Sequence, residues 1–251
     1  MEQKMETGTG LSLRQKQFLD LVLEEKSILQ NFYLSGGTAL SSWYLHHRDS
    51  YDLDFFSERR FDGNRITDWI KQNQEKLDYQ GVSVDDDFGF YTYFFRYQDN
   101  SRFKVDFNHY SVNRLEKGIN RQGLEIDSLY DIAVNKVHTI RTNPRERDYV
   151  DLYFILKEKD WTIDKLLSDA DRKFRVTAGS LQLAKNFLKV SEITDPPKML
   201  VPFNQKAMEK FFIDLAKSLK KEIFKSPRLP TRKWHFWLSQ CVIPAPAFAY
   251  V

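Results

Sequence analysis

Cysteine is nearly absent from this sequence of 251 residues, in which Cys241 is the single example. One cysteine cannot form a disulfide bond within the chain, so a reducing compartment suits the protein. No apolar run approaches the ~20 residues of a membrane-spanning helix, and the opening residues are too polar for a signal peptide. We therefore expect a cytoplasmic protein with no membrane partner.

An excess of either charge is also lacking. The 38 Lys and Arg residues nearly balance the 35 Asp and Glu residues, which leaves a net charge of +3. That excess is too small to indicate a nucleic-acid partner by itself, and the histidines show no spacing typical of zinc ligands. Aromatic residues, in contrast, reach 15% of the chain, which favours a packed globular interior over disorder.

Hydrophobic periodicity divides the chain into two main parts. Residues 1–126 mix helical patterns with alternating strand patterns such as YDLDFFS and RFKVDFNHY, whereas residues 127–225 have helical periodicity throughout. We predict an α+β fold, with an α+β domain at 1–126 and a helical domain at 127–225. Residues 226–251 fit neither pattern and form a tail of uncertain origin.

Two aspartates one residue apart, Asp52 and Asp54, lie in a predicted strand. Side chains at i and i+2 share one face, and carboxylates this close repel each other unless a cation lies between them. Asp106 is on the polar face of another predicted strand and would join them if the two strands are neighbours. Three carboxylates can hold two metal ions about 3.5–4 Å apart for phosphoryl transfer. Surface acids on exposed strands are the simpler interpretation of each motif alone.

Gly36 and Gly37 precede these acids in the stretch SGGTAL. Glycines let backbone N–H groups approach a polyphosphate closely, and a helix that begins at Thr38 would direct its positive end to the same place. The hydroxyl groups of Ser35 and Thr38 would add contacts. A plain turn between a strand and a helix explains the same residues.

Lys136 interrupts an apolar helical stripe that consists of Leu129, Ile132, Ala133, Val137 and Ile140. A lysine in a core-facing stripe either finds an anion, for which a triphosphate is suitable, or extends its ammonium group outward to water. Asp148 and Asp151 are at i and i+3 on the next predicted helix. They could orient Lys136, activate an acceptor hydroxyl group, or form an exposed charged face.

A late helical pattern, NQKAMEKFFIDLAKSLKKEIF, places lysines mainly on one side: Lys206, Lys210, Lys217, Lys220, Lys221 and Lys225. A charged run of this kind is usually a solvated face. Alternatively, it guides RNA toward the acids, because phosphate contacts position RNA without reading its sequence.

Taken in order, the motifs GGTAL, HR with Ser50, DLDFF, VDF, NKVHTI and RDYVDLYFIL resemble the AbiEii/AbiGii toxin family of nucleotidyltransferases. The resemblance implies the nucleotidyltransferase fold, a mixed sheet whose cleft is closed by a helical region. It implies a nucleoside triphosphate substrate and Mg²⁺ or Mn²⁺ held by Asp52, Asp54 and Asp106. The implied nucleotide-binding residues are Ser35, Gly36, Gly37, Thr38, Arg48 and Lys136. Catalysis would fall to the three metal ligands together with Lys136, Asp148 and Asp151.

The same resemblance implies a toxin paired with a separate antitoxin protein, and some relatives add nucleotides to tRNA ends. We therefore expect transfer of a nucleoside monophosphate to an acceptor, with RNA favoured. A protein adenylyltransferase and a non-catalytic nucleotide-binding module are the alternatives, and the motifs do not separate an RNA acceptor from a protein acceptor.

Overall fold

The computed structural model describes residues 10–176 and 179–225, with the helical backbone alone from residue 220. The helices are α1 (Leu13–Glu24), α2 (Lys26–Asn31), α3 (Gly36–Leu40), α4 (Gly63–Gln72), α5 (Gln74–Leu77), α6 (Leu129–Thr142), α7 (Glu146–Glu158), α8 (Ile163–Phe174), α9 (Ser180–Leu188) and α10 (Gln205–Lys225). The strands are β1 (Tyr33–Ser35), β2 (Leu53–Ser57), β3 (Gly81–Asp87), β4 (Phe90–Arg96), β5 (Arg102–His109), β6 (Ile119–Arg121) and β7 (Leu124–Ile126). The predicted tail at 226–251 lies outside the described residues.

One mixed sheet has the strand order β3-β4-β5-β2-β1-β7-β6. The pairs β2–β5 and β1–β7 are parallel, and the other neighbours are antiparallel. This mixed sheet with helices confirms the predicted α+β fold class. The last described strand ends at Ile126 and helices follow from Leu129, whereas the division into separate domains stays a prediction.

The apolar face of the sheet packs against α1. Ser12 caps this helix together with Gln15 in a reciprocal pair of hydrogen bonds, as its position in the sequence suggests. Phe18 is fully buried, and its ring contacts Phe55 of β2 and Phe107 of β5, among other aromatic side chains. Because strand side chains alternate between faces, this packing leaves the polar residues of β2 and β5 on the opposite face.

The helical half packs through α6, which contacts α7, α8 and α9, while α10 packs on α9 and α7. α6 also contacts α3, so the helical half lies next to the glycine turn. Within the described ranges, every helix is too short or too polar to span a bilayer.

One local prediction was wrong: the helix after the glycine turn begins at Gly36, not at Thr38, and Ser35 is its N-cap residue. A π-helical turn (Ser41–Leu45) then follows and ends at His46, whose φ of 50° is left-handed. The carbonyl of Ser41 accepts the backbone N–H of His46, which closes the wider turn and brings the chain back toward β2.

Candidate active site

Three strands align the predicted acids in one row. Ser35 at the end of β1 pairs with Asp54 of β2, and Asp54 pairs with Asp106 of β5. Neighbouring strands are about 4.8 Å apart, so the carboxyl groups of Asp54 and Asp106 face the same space. The strands that carry Asp54 and Asp106 are therefore neighbours, as a cluster of three carboxylates requires. Asp52 lies one residue before β2 and also borders that space.

A cleft of about 330 Å³ opens above this row. Predicted site residues contribute much of its lining: Ser35, Gly36, Gly37, Arg48, Asp52, Asp54, Asp106 and Lys136. Three others, Thr38, Asp148 and Asp151, are fully buried outside the lining.

The glycines are required by close approach. Gly36 has a φ of +74°, and a Cβ atom there would lie 2.2 Å from Oδ2 of Asp54. A Cβ atom on Gly37 would lie 2.7 Å from Nη2 of Arg48. Neither distance is possible for a real side chain, so the two glycines keep open the space between the turn, the acid and the guanidinium group.

Asp106 is buried, and its Oδ1 atom has no hydrogen-bond partner among the described residues. Its Oδ2 atom accepts a hydrogen bond from the ammonium group of Lys104, which also lies 3.5 Å from Oδ2 of Asp52. Arg147 approaches the same Asp52 oxygen at 3.8 Å. Lys104 therefore supplies a positive charge inside the acidic cluster.

Burial and neighbouring charges shift the pKa values of Asp54 and Lys104. Burial in the cleft and repulsion from Asp106 raise the pKa of Asp54 to about 6. Although burial opposes its charge, the contact with Asp106 raises the pKa of Lys104. Asp54 is therefore ionised at neutral pH, but at a free-energy penalty that an added cation would relieve.

The acidic cluster has the donor chemistry of a site for Mg²⁺ or Mn²⁺, which bind carboxylate oxygens. The unpartnered Oδ1 of Asp106 is a buried donor atom with an open position. Across residues 10–176 and 179–225, however, no three His, Cys, Asp or Glu side chains converge as a complete metal site. The ammonium group of Lys104 lies between two of the carboxylates instead.

Lys136 has two buried carboxylates as partners. Its Nζ atom lies 2.7 Å from Oδ1 of Asp148 and 2.5 Å from Oδ2 of Asp151, and only 7% of its side chain is exposed. Lys136 therefore does not extend outward to water. Asp151 also accepts hydrogen bonds from Arg48 and from His47.

The catalytic assignment of Asp148 and Asp151 stays a prediction, and their contacts bear on the role that it gives them. Both side chains are completely buried and neither lines the cleft. The sequence left three roles open for Asp148 and Asp151, and their contacts agree with the one in which they orient Lys136. Although burial opposes ionisation, the ammonium group of Lys136 lowers the pKa of Asp148 and holds that of Asp151 well below its ordinary value.

Thr38 is bonded within the turn, and its predicted contact with a nucleotide stays a prediction. Its hydroxyl group donates a hydrogen bond to the carbonyl of Asp52 and lies 2.9 Å from Oγ of Ser50. The residue is fully buried, and its hydroxyl group links the turn to the segment just before β2.

The family profile described as "Nucleotidyl transferase AbiEii toxin, Type IV TA system" matches residues 17–248. The chain belongs to the AbiEii family. It is therefore a nucleotidyltransferase, as the motifs predicted, and family membership implies a nucleotide substrate and an antitoxin partner.

Similar proteins include the uncharacterized protein aq_aa25 of Aquifex aeolicus, which is 29% identical over 178 residues, or 66% of this chain and 76% of that one. Among solved structures, JHP933 from Helicobacter pylori is 16% identical, with a TM-score of 0.49 over 84% of this chain and 92% of that chain. A putative nucleotidyltransferase from H. pylori is 17% identical, with a TM-score of 0.49 over 87% of this chain and 100% of that chain.

Several cleft residues of this AbiEii chain were missed from the sequence. Asn135 and Thr139 of α6 line the cleft beside Ile132, and their spacing with Ile132 at i+3 and i+7 was a signal that could have found them. Arg145 lines it as well, and its Nε atom lies 2.9 Å from Oδ2 of Asp148. No local pattern predicts Arg145, because it precedes α7 in a connecting segment.

Asp127 was missed for a different reason. It is fully buried, and its Oδ2 atom accepts a 2.7 Å hydrogen bond from the hydroxyl group of Ser35. Burial raises the pKa of Asp127 to about 7, against the effect of that hydrogen bond. The residue is distant from Ser35 in sequence, so only the β1–β7 pairing reveals that it fixes the first residue of the glycine turn.

Proposed function

We propose that this AbiEii-family chain transfers a nucleoside monophosphate from a nucleoside triphosphate to a hydroxyl group of RNA, with tRNA as the first candidate. One observation carries the proposal: Ser35, Asp54 and Asp106 form a row beside a turn that stays open because Gly36 and Gly37 lack Cβ atoms. This arrangement supports a polyphosphate held by the turn and carboxylates placed next to it.

Cationic side chains supply the other phosphate contacts. Lys136 and Arg48 line the cleft and are held in place by buried carboxylates. Arg145 and Arg147 also line it and are more exposed, at 52% and 43% of their side chains. Lys136 and Arg48 are therefore suited to orient the triphosphate. The more exposed Arg145 and Arg147 can move with the triphosphate as it enters the cleft.

Asp52, Asp54 and Asp106 would hold Mg²⁺ or Mn²⁺, which stabilises the negative charge that develops on phosphate oxygens when it is bound. The acceptor hydroxyl oxygen attacks the α-phosphorus, the bond from that phosphorus to the bridging oxygen breaks, and pyrophosphate leaves. The hydroxyl proton leaves to water, and Oδ1 of Asp106, which has no hydrogen-bond partner in the described residues, stays available to the metal ion. We propose that this transfer makes the chain a toxin, restrained by a separate antitoxin protein.

The test uses the purified protein with each of the four labelled nucleoside triphosphates, Mg²⁺ or Mn²⁺, and a cell extract. Label is then followed into RNA and protein fractions. Asp54→Asn is the test variant, and Asp68→Asn is its matched control because Asp68 is an exposed aspartate of α4. We expect label in RNA with the parent and with the control, and none with Asp54→Asn.

Other outcomes contradict specific parts of the proposal. Label in the protein fraction shows a protein adenylyltransferase. Nucleotide binding without any labelled product shows a non-catalytic module. If Asp54→Asn transfers the label as well as the parent does, Asp54 and the row of acids are not needed for the reaction.

A further inference from the structure

The face of the sheet that carries the acids continues onto strand β4. Phe94 of β4 pairs with Lys104 of β5, and Arg96 pairs with Arg102 at the end of the same two strands. Directly paired residues on neighbouring strands project to the same face. Since Lys104 contacts Asp106, Phe94 is one cross-strand neighbour away from the acidic cluster.

These three residues, Phe94, Arg96 and Arg102, form what we name the aromatic–basic patch. All three are exposed, Phe94 by 37%. The residues that alternate with them, Tyr93, Phe95 and Phe103, are buried on the other face of the sheet. The patch is therefore the outward face of a regular strand pair and does not result from local distortion.

Charge on this face is divided along the strands. Asp85 and Asp87 of β3 pair with Thr92 and Phe90, so the face is acidic at that end. The arginines are at the opposite end. Arg102 is four residues before Asp106 on β5, a distance of about 13 Å at the usual strand rise.

We propose that the aromatic–basic patch binds the single-stranded end of an RNA acceptor; this inference rests on the proposed transfer to RNA. A base stacks on Phe94, and Arg96 and Arg102 contact backbone phosphates, which is the combination that single-stranded RNA requires. The charges in and behind the cleft nearly balance and give a polyanion little net attraction. Positive charge beside the path therefore helps to bring the terminal hydroxyl group to the cleft.

The lysines of α10 are the competing surface. Lys210 and Lys217 both contact Asp214, and none of the α10 side chains that the structure describes, at residues 205–219, lines the cleft. Their charge is thus partly balanced on their own helix, away from the row of acids. The paired substitution Lys210→Gln/Lys217→Gln is therefore a matched control that removes the same charge as Arg96→Gln/Arg102→Gln.

The experiment measures the affinity of the full-length protein for a fluorescently labelled single-stranded RNA against salt concentration. Arg96→Gln/Arg102→Gln is expected to lower the log–log salt slope by about 1.4, or about 0.7 for each phosphate contact, while the α10 control leaves it unchanged. Phe94→Ala is expected to weaken binding roughly fivefold to a hundredfold at fixed salt. Phe94→Leu, which keeps apolar packing on the strand, is expected to weaken it similarly.

Nucleotide binding is measured on the same variants with a fluorescent triphosphate and Mn²⁺. It should not change, because no patch residue lines the cleft. If the patch variants bind RNA with the parent's slope and affinity, the patch inference is overturned and the proposed function stands. If only the α10 variant lowers the salt slope, the patch inference is also overturned, and the lysines of α10 are the surface that binds RNA. If the parent binds nucleotide but no RNA, the proposed RNA acceptor fails and the inference with it.

Discussion

Replacing Lys136 by methionine tests the buried charge network most directly. Methionine keeps an unbranched apolar stem and removes the ammonium group. In the parent, that group lies 2.7 Å from Asp148 and 2.5 Å from Asp151, both of which are completely buried. The sequence alone predicts that a Lys136 substitution weakens triphosphate binding more than stability. The carboxylate contacts predict a large loss of stability as well.

The size of that loss follows from the partners that stay in place. Removing one partner of a buried ion pair lowers stability by about 3–5 kcal/mol, because it leaves an uncompensated charge. Asp148 keeps Arg145, and Asp151 keeps Arg48 and His47. We therefore expect a loss near the lower end, about 3 kcal/mol at pH 7.5, measured by urea unfolding.

The pH dependence of the loss identifies its cause. The lowered pKa values of Asp148 and Asp151 stabilise the folded parent above the ordinary aspartate pKa of 3.8, and this contribution is lost as pH falls through the folded values. Without Lys136, the folded carboxylates bind protons more readily. The deficit of Lys136→Met should therefore shrink as pH falls below 3.8 toward the folded pKa values of Asp148 and Asp151 in the parent.

A second variant provides the control. Lys136→Met/Asp148→Asn removes one of the two buried carboxylate charges that Lys136 compensates. Its free energy of unfolding should be at least about 1 kcal/mol higher than that of Lys136→Met. A deficit below about 1 kcal/mol for Lys136→Met, together with no recovery in the double variant, would refute the argument that this ammonium group compensates the buried acids.

Three further substitutions probe the cleft. Asp54→Asn should reduce transfer by more than about 100-fold and raise the apo melting temperature at pH 8, because it removes a repelled carboxylate; a calorimetric scan and an activity assay check both. Lys104→Met should tighten Mn²⁺ binding without nucleotide by at least about tenfold in calorimetry, since an ammonium group between Asp52 and Asp106 is removed; unchanged affinity contradicts this. Burial raises the pKa of Asp127 from 3.8 to about 7, so its protonated form stabilises the fold at low pH and this contribution is lost as pH rises toward 7. Asp127→Asn should therefore gain up to roughly 4 kcal/mol on the parent between pH 4 and 8, measured as the difference between two urea-unfolding series.

Local periodicity was sufficient to predict which strand faces carry the acids, but not that the two strands are neighbours. Strand alternation placed Leu53 and Phe55 in the core and left Asp52 and Asp54 on the other face, and both apolar residues are fully buried. The helical stripe around Lys136 was predicted in the same way, with Val137 completely buried beside it. These patterns repeat within a few residues, so a single sequence contains them.

The partners of these residues could not be predicted locally. Asp151 meets Arg48 across 103 positions of sequence, and the Ser35–Asp127 hydrogen bond spans 92. Lys104 was visible as a member of the polar strand face, but its place among the acids depends on the parallel pairing of β2 with β5. Such contacts are set by sheet order, for which the sequence pattern gives no direct signal.

The charges of the cleft explain why these distant partners matter. Its lining carries five cationic side chains, at Arg48, Lys104, Lys136, Arg145 and Arg147, and three acids, at Asp52, Asp54 and Asp106. The buried Asp148 and Asp151 bind Arg48, Lys136 and Arg145 from behind and bring the balance close to neutral. A nearly neutral cleft offers little net attraction to a free triphosphate, whereas a triphosphate that arrives with divalent cations satisfies both the acids and the arginines. We propose that the buried aspartates favour a metal-bound nucleotide over a free one in this way, through the cations that they hold and not by direct contact.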